Sequence, residues 1–239
     1  MGDSNDINHS FLASLQLSDS FLPVGTYTTS YGLESFVRND KIETADELRE
    51  LLEDYLRFQV GTCEMAAIVN VHDALDSDDI DKVAEIDDRL HRMTLTSEFR
   101  EGSVKSGNQL LDLMLETSQR GLASPLKEFR RRIADDDETA HGNYVTVLGI
   151  VTYHRDIPAR KACLVHGYSF VSDLLGNAQR LMQLGHTEVQ EVLTELHPVV
   201  AEVYEENRDR RVAEMKSFTP KIDLMSMKHE RSNVRLFIS

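Results

Sequence analysis

Apolar residues recur at three- and four-residue steps along most of the chain. Leu48, Leu51, Leu52, Tyr55, Leu56 and Val60 form one stripe, and Val83, Ile86, Leu90 and Met93 a second. Phe99, Leu110, Leu111, Met114 and Leu115 belong to a third, from Ser97 to Thr117. A step near 3.6 residues puts each set on one face of a helix. Thr44 opens T-A-D-E, a capping box in which the threonine hydroxyl and the Glu47 carboxylate satisfy the first free amides of a new helix. A short basic helix is predicted over Leu126 to Ile133, closed by the acidic stretch Asp135 to Glu138. Pro158 suits the first turn of a helix running through Cys163, Tyr168, Val171 and Leu175 toward Leu184. Thr187 opens a second capping box, T-E-V-Q, ahead of the stripe Val189, Val192, Leu193, Leu196, Val199, Val200 and Val203, with a kink expected at Pro198.

No strand alternation, internal repeat or Pro/Gly/Ser-rich linker interrupts this pattern. The prediction is an all-α protein, a single-domain helical bundle of about eight to ten helices. Residues 1–9 are expected to be a flexible N-terminal segment and 10–217 the helical domain. Residues 218–239 form a polar tail that ends in the apolar Val234, Leu236, Phe237 and Ile238. Such a tail gains order by docking on something else.

Composition narrows the partners. The formal charge is −15, from 41 acidic and 26 basic residues, so the field repels phosphate backbones and nucleic acid is not an expected partner. The start, MGDSNDINHS, lacks the basic and apolar blocks of a secretory signal, and the apolar run Tyr144 to Tyr153 is too short to span a bilayer. The 2 cysteines, Cys63 and Cys163, support no disulfide framework or C-x-x-C motif, which suits a reducing cytoplasm. A cytoplasmic protein without membrane contact is expected.

Catalytic and metal chemistry is hard to find. The 9 histidines are scattered, and none forms H-E-x-x-H or E-x-x-H. There is no phosphate-binding glycine loop and no nucleophile elbow. No catalytic residue, metal ligand or tightly bound cofactor is predicted. A helical enzyme with a cofactor pocket in its core is the alternative reading, but it needs polar residues converging on inward faces, which the sequence does not single out.

Four segments stand out. Leu15 to Glu34, LQLSDSFLPVGTYTTSYGLE, turns at Pro23 and Gly25, and Thr28 to Ser30 could cap a new helix. In Arg100 to Leu111, REGSVKSGNQLL, Ser103 and Gly107 share one helix face and permit close approach, from inside the protein or from a partner. Arg180 to Gln190, RLMQLGHTEVQ, reads as a helix end at Gly185 followed by the Thr187 cap; Arg180 either faces a partner or complements the helix dipole. The last segment is Arg231 to Ser239, RSNVRLFIS.

Together these segments resemble the UreF family of urease accessory proteins. Leu15 to Glu34 is similar to the family's opening L-Q-L-x-D-S-x-L-P-V-G pattern through S-x-G-L-E. Arg100, Ser103, Gly107, Leu110 and Leu111 resemble its R-x-x-S-x-x-x-G-x-x-L-L helix, and His141 to Gly149 its H-x-P-V-x-x-G segment. Ser172 to Gln190 is similar to the run ending R-L-x-P-L-G-Q-x-x-x-Q, and Arg235 to Phe237 to its R-L-F tail. Thr26, Thr29, Asn143, Gln183 and His186 depart from the common residues.

The resemblance implies an all-α homodimer that binds UreD/UreH, recruits the GTPase UreG to apo-urease and modulates its GTP hydrolysis during nickel insertion. Nickel would pass through the partner complex. The partner-binding residues it implies are Ser30, Tyr31, Glu34, Arg100, Ser103, Gly107, Arg180, Gly185, Gln190, Arg235, Leu236 and Phe237. Glu34 is expected to face UreG, and the RLFIS end to dock on UreD/UreH.

Overall fold

The structure is a computed structural model and describes residues 3–19, 22–24, 31–117, 124–135 and 139–230. Those residues form helices and no strand. Eleven α-helices follow in order: α1 (Asp3–Leu17), α2 (Leu33–Arg38), α3 (Ala45–Tyr55), α4 (Ala66–Asp76), α5 (Ile80–Met93), α6 (Ser97–Thr117), α7 (Ser124–Ala134), α8 (Tyr144–His154), α9 (Ala159–Leu181), α10 (His186–Asn207) and α11 (Pro220–Glu230). Helix α1 starts inside the segment expected to be flexible.

Helix α8 is apolar on every side, and Val145 to Thr152 are all buried, so it forms the centre of the bundle. Helices α4, α6 and α9 pack around it. A Cβ at Gly149 would come within 2.9 Å of Val71 Cγ1, so this glycine sets how closely α8 approaches α4.

Inside that contact, Thr152 Oγ lies 2.8 Å from the Leu148 carbonyl, and His72 Nε2 lies 3.0 Å from the same hydroxyl. The hydroxyl's one proton goes to a carbonyl, so a neutral His72 donates its Nε2 proton to Thr152. Burial depresses the His72 pKa to about 4, against a weaker upward pull from Asp76. The unfolded chain therefore takes up this proton first as pH falls below about 6.5, and stability drains away down to the folded value. Between pH 7 and 4.5, His72→Gln should lose about 2–3 kcal/mol less stability than the parent, as read by urea unfolding. Equal losses in both proteins would remove His72 from the acid response.

The Thr44 capping box forms in both directions. Thr44 Oγ1 accepts the Glu47 amide at 3.2 Å, and Glu47 Oε2 accepts the Thr44 amide at 3.1 Å. The stripe that starts there does not stay α-helical. Leu56–Met65 is a 10-residue π-helical segment between α3 and α4, in which the turn is wider than in an α-helix. The chain after α10 runs against it: the Lys216 and Phe218 amides donate to the Thr62 and Phe58 carbonyls at 3.1 Å each.

Other boundaries shift for local reasons. Pro158 is the N-cap of α9 and not its first helical residue. Helix α9 ends at Leu181, and Gly185, with φ −70, is the N-cap of α10 and not the end of the preceding helix. The cap contact at this helix start comes from Glu188, whose Oε2 accepts the Gly185 amide at 2.7 Å, so Thr187 does not open a capping box. Helix α10 continues through Pro198. Residue 217 does not end the packed fold, because α11 lies on α2 with Ile222 and Ser226 buried.

Candidate functional site

The best-organised polar centre is built on a residue the sequence does not advertise. Asp87 sits in the highly charged α5 beside Asp88, yet it is fully buried. Its Oδ2 accepts the amides of His141 at 2.6 Å and Gly142 at 2.8 Å. Its Oδ1 accepts the Asn143 amide and the Asn143 side-chain amide, both at 2.9 Å. Burial pushes this carboxyl above its usual range, and the donors from Asn143, Gly142 and His141 pull against that shift. The carboxylate thereby fixes the turn that leads into α8, in which Gly142 has φ 81. His141 stacks on His91 with ring centroids 3.8 Å apart, and its Nε2 lies 3.3 Å from Asp88.

This turn seats the face of α6 that carries Ser103 and Gly107. Ser103 Oγ accepts the Tyr144 amide at 3.2 Å. A Cβ at Gly107 would lie 2.7 Å from the Tyr144 nitrogen and closer still to the Gly142 oxygen. The small-residue face therefore serves internal packing against the 142–144 turn. Arg100 donates to the Thr94 carbonyl at 3.0 Å and ties the α5–α6 connection to α6.

Above the turn is a cavity of about 90 Å³. Tyr31, Glu64, Thr96, Phe99, Ser103, Asn143, Tyr144, His166, Ser169, Phe170, Asp173 and Asp223 are among its lining residues. Tyr31 enters from a strained position, with φ 46 ahead of Gly32 at φ 75. Its carbonyl accepts the Tyr55 hydroxyl, and its ring lies 5.1 Å from those of Phe99 and Phe170. Glu64 comes from the π-helical segment and meets His166 Nε2 at 2.7 Å, while Gln59 donates to it at 2.9 Å. Burial raises the Glu64 pKa, but the His166 and Gln59 contacts outweigh it and hold the carboxyl below its usual range. The hydroxyls of Tyr31 and Tyr144 are pushed up, first by burial and then by nearby carboxylates, among which Asp173 acts on both.

The residues singled out from sequence thus divide. Tyr31 and Ser103 line the cavity, Gly107 packs on the turn beside it, and Arg100 braces its rim through Thr94. Arg180, Gly185 and Gln190 are exposed near the α9–α10 connection and do not line it. Glu34 is fully buried and pairs with Arg38 at 2.7 Å; the arginine side chain keeps 34% of its surface in solvent. The carboxylate expected to face a partner is therefore enclosed, and the cationic group it holds is the one at the surface. Ser30, Arg235, Leu236 and Phe237 lie outside the described residues, as does the expected cap at Thr28 to Ser30. Among the described residues, no group of three or more His, Cys, Asp or Glu could hold a metal ion. No described helix is long and apolar enough to cross a membrane.

The sequence model of the UreF family matches residues 42–197. The chain belongs to the UreF family. It is 32% identical to the urease accessory protein UreF of Trichodesmium erythraeum over 229 residues, which is 95% of each chain. The UreF of Streptococcus thermophilus is 30% identical, over 96% of this chain and 94% of the relative. That of Bacillus sp. strain TB-90 is 28% identical, over 95% and 98%. These UreF relatives are named as accessory proteins and not as enzymes, which fits a non-catalytic chain. The match to the family model spans the Asp87 turn, Glu64 and His166, and leaves Tyr31, Glu34 and the terminal RLFIS outside it.

Proposed function

We propose that this chain is a non-catalytic scaffold of urease maturation, which with UreD/UreH recruits the GTPase UreG to apo-urease. In this reading it modulates GTP hydrolysis while nickel passes through the partner complex, acts as a homodimer in the cytoplasm and keeps no tightly bound cofactor. The observation that carries the proposal is its end-to-end likeness to a urease accessory protein UreF, 32% identical across 95% of both chains. The net charge of −15 also favours protein partners with cationic faces over nucleic acid.

Burial changes which of the candidate residues can touch a partner directly. Arg38, Arg180, Gly185 and Gln190 have surface to offer, whereas Glu34 and Gly107 support the fold behind it. The apolar RLFIS end remains the proposed contact with UreD/UreH.

The test is co-purification with UreD/UreH and UreG, followed by urease activation with and without this chain. Arg38→Ala should weaken UreG recruitment and also lower the unfolding midpoint, because it takes an ion-pair partner from the fully buried Glu34 carboxylate. Glu34→Ala should weaken recruitment and also cost about 1–3 kcal/mol, since it frees Arg38 and empties a buried site. Normal recruitment by a folded Arg38→Ala protein would move the UreG contact off this face. Activation that proceeds equally well without the chain would overturn the proposal itself.

A further inference from the structure

We propose that the stacked rings of His91 and His141 form a pH-sensitive latch on the turn before α8, closed while the pair holds at most one proton and released by the second. His91 lies in α5, and His141 belongs to the turn. The ring centroids are 3.8 Å apart and the planes only 12° from parallel, so each ring covers the other. A proton on His141 is matched, because Asp88 lies 3.3 Å from its Nε2. One charged ring and one neutral ring stack without repulsion. Two charged rings at that spacing repel, and one of them is attached to the backbone whose amides Asp87 holds.

A second observation concerns His91 alone. Its Nδ1 is enclosed and has no hydrogen-bond partner. An imidazolium carries a proton on both nitrogens, so charging His91 would bury an N–H with no acceptor. The surroundings oppose that proton on balance. Burial comes first, then His141 on the turn and Arg100 on α6, while Asp87 on α5 and the Asn143 side chain pull the other way. On the far side of the stack stands Asp88, paired with Arg92 at 2.8 Å. The His91 ring is thereby held below its ordinary value. In an opened turn the ring regains that value, so opening takes up a proton. The sign follows: opening gains nothing above about pH 6.5 and up to about tenfold per pH unit below it, until the ring of the closed form titrates. Asn143 and Tyr144 line the cavity, so the same step loosens its wall.

This inference does not depend on the proposed role in urease maturation and is tested on the isolated full chain. Ring resonances of His91 and His141 are followed by NMR from about pH 8 to pH 5. Amide exchange at Gly142 and Asn143, corrected for its intrinsic pH dependence, is compared with exchange in α10. Opening of the turn should rise about tenfold relative to α10 between pH 6.5 and 5. His141→Gln should raise the His91 midpoint by about half a pH unit or more. His91→Phe keeps a ring to stack on His141 but takes up no proton, so its turn should stay closed over the whole range.

Exchange at Gly142 and Asn143 that tracks α10 down to pH 5 in the parent would remove the latch, whether or not the variants fold. The same rise in His91→Phe would assign the response to Asp87, whose carboxyl burial also pushes up, and would overturn the proposal. So would a His91 midpoint that His141→Gln leaves in place.

Discussion

Replacing Asp87 by alanine should cost about 4 kcal/mol or more and open the turn before α8. Three backbone amides, at His141, Gly142 and Asn143, and the Asn143 side chain donate to this one buried carboxylate. A buried donor left without an acceptor costs about 1–3 kcal/mol, and water entering the vacated space would recover only part of the total. Asp87→Asn should fare little better. Each carboxylate oxygen receives two donors, so an amide nitrogen in either position would face two N–H groups. Urea unfolding should show both variants strongly destabilised, and hydrogen exchange should rise at residues 141–143 before it rises in α4. The cavity would suffer in the same step, because Asn143 and Tyr144 are part of its wall. A folded Asp87→Ala protein with a parental midpoint and slow exchange at 141–143 would mean that the turn is held by other contacts.

What the sequence revealed and what it hid follow from the range of each interaction. The Thr44–Glu47 capping box, the apolar stripe of α5 and the bounds of α6 were legible because they depend on neighbours within four residues. The π-helical segment was not, since its buried residues Leu56, Val60, Gly61, Thr62 and Cys63 also suit an α-helical stripe. What stabilises the wider turn is partly a segment more than 150 residues away, whose amides reach the Phe58 and Thr62 carbonyls. Asp87 read as one more surface charge beside Asp88. Only the fold puts a ring of amides around one and leaves the other near the surface. The cavity was illegible for a similar reason: Tyr31 comes from the turn before α2, and Glu64, Ser103, His166 and Asp223 from four separate elements, with no shared spacing. The inward-facing polar residues sought in the sequence do exist, but they are assembled by packing. Glu34 was misjudged because a carboxylate at a helix start suits the dipole in water just as well. Its burial is set by α2 lying against α9 and α11.

Gly107→Ala should destabilise the protein by about 2 kcal/mol, although alanine is the better helix former. In an exposed helix the exchange gains up to about 1 kcal/mol. Gly176, in α9, has nothing within 4 Å of the site of an added Cβ, so Gly176→Ala should show that gain and serves as the control. At Gly107 the same methyl would press on the backbone of Gly142, Asn143 and Tyr144. Backbone cannot rotate away as a side-chain tip can, and this backbone is pinned by Asp87. Over-packing of that kind costs about 1–3 kcal/mol and outweighs the propensity gain. Pinning also predicts how two substitutions combine. Once Asp87→Ala has released the turn, the methyl at Gly107 has room, so the double variant should be more stable than the sum of the single losses implies. Neighbouring sites that share one backbone shift couple by about 0.5–3 kcal/mol, and a double-mutant cycle with urea unfolding would read it. Strict additivity would mean that Gly107 and Asp87 act on the turn separately, and a stabilising Gly107→Ala would mean that α6 can draw back from it.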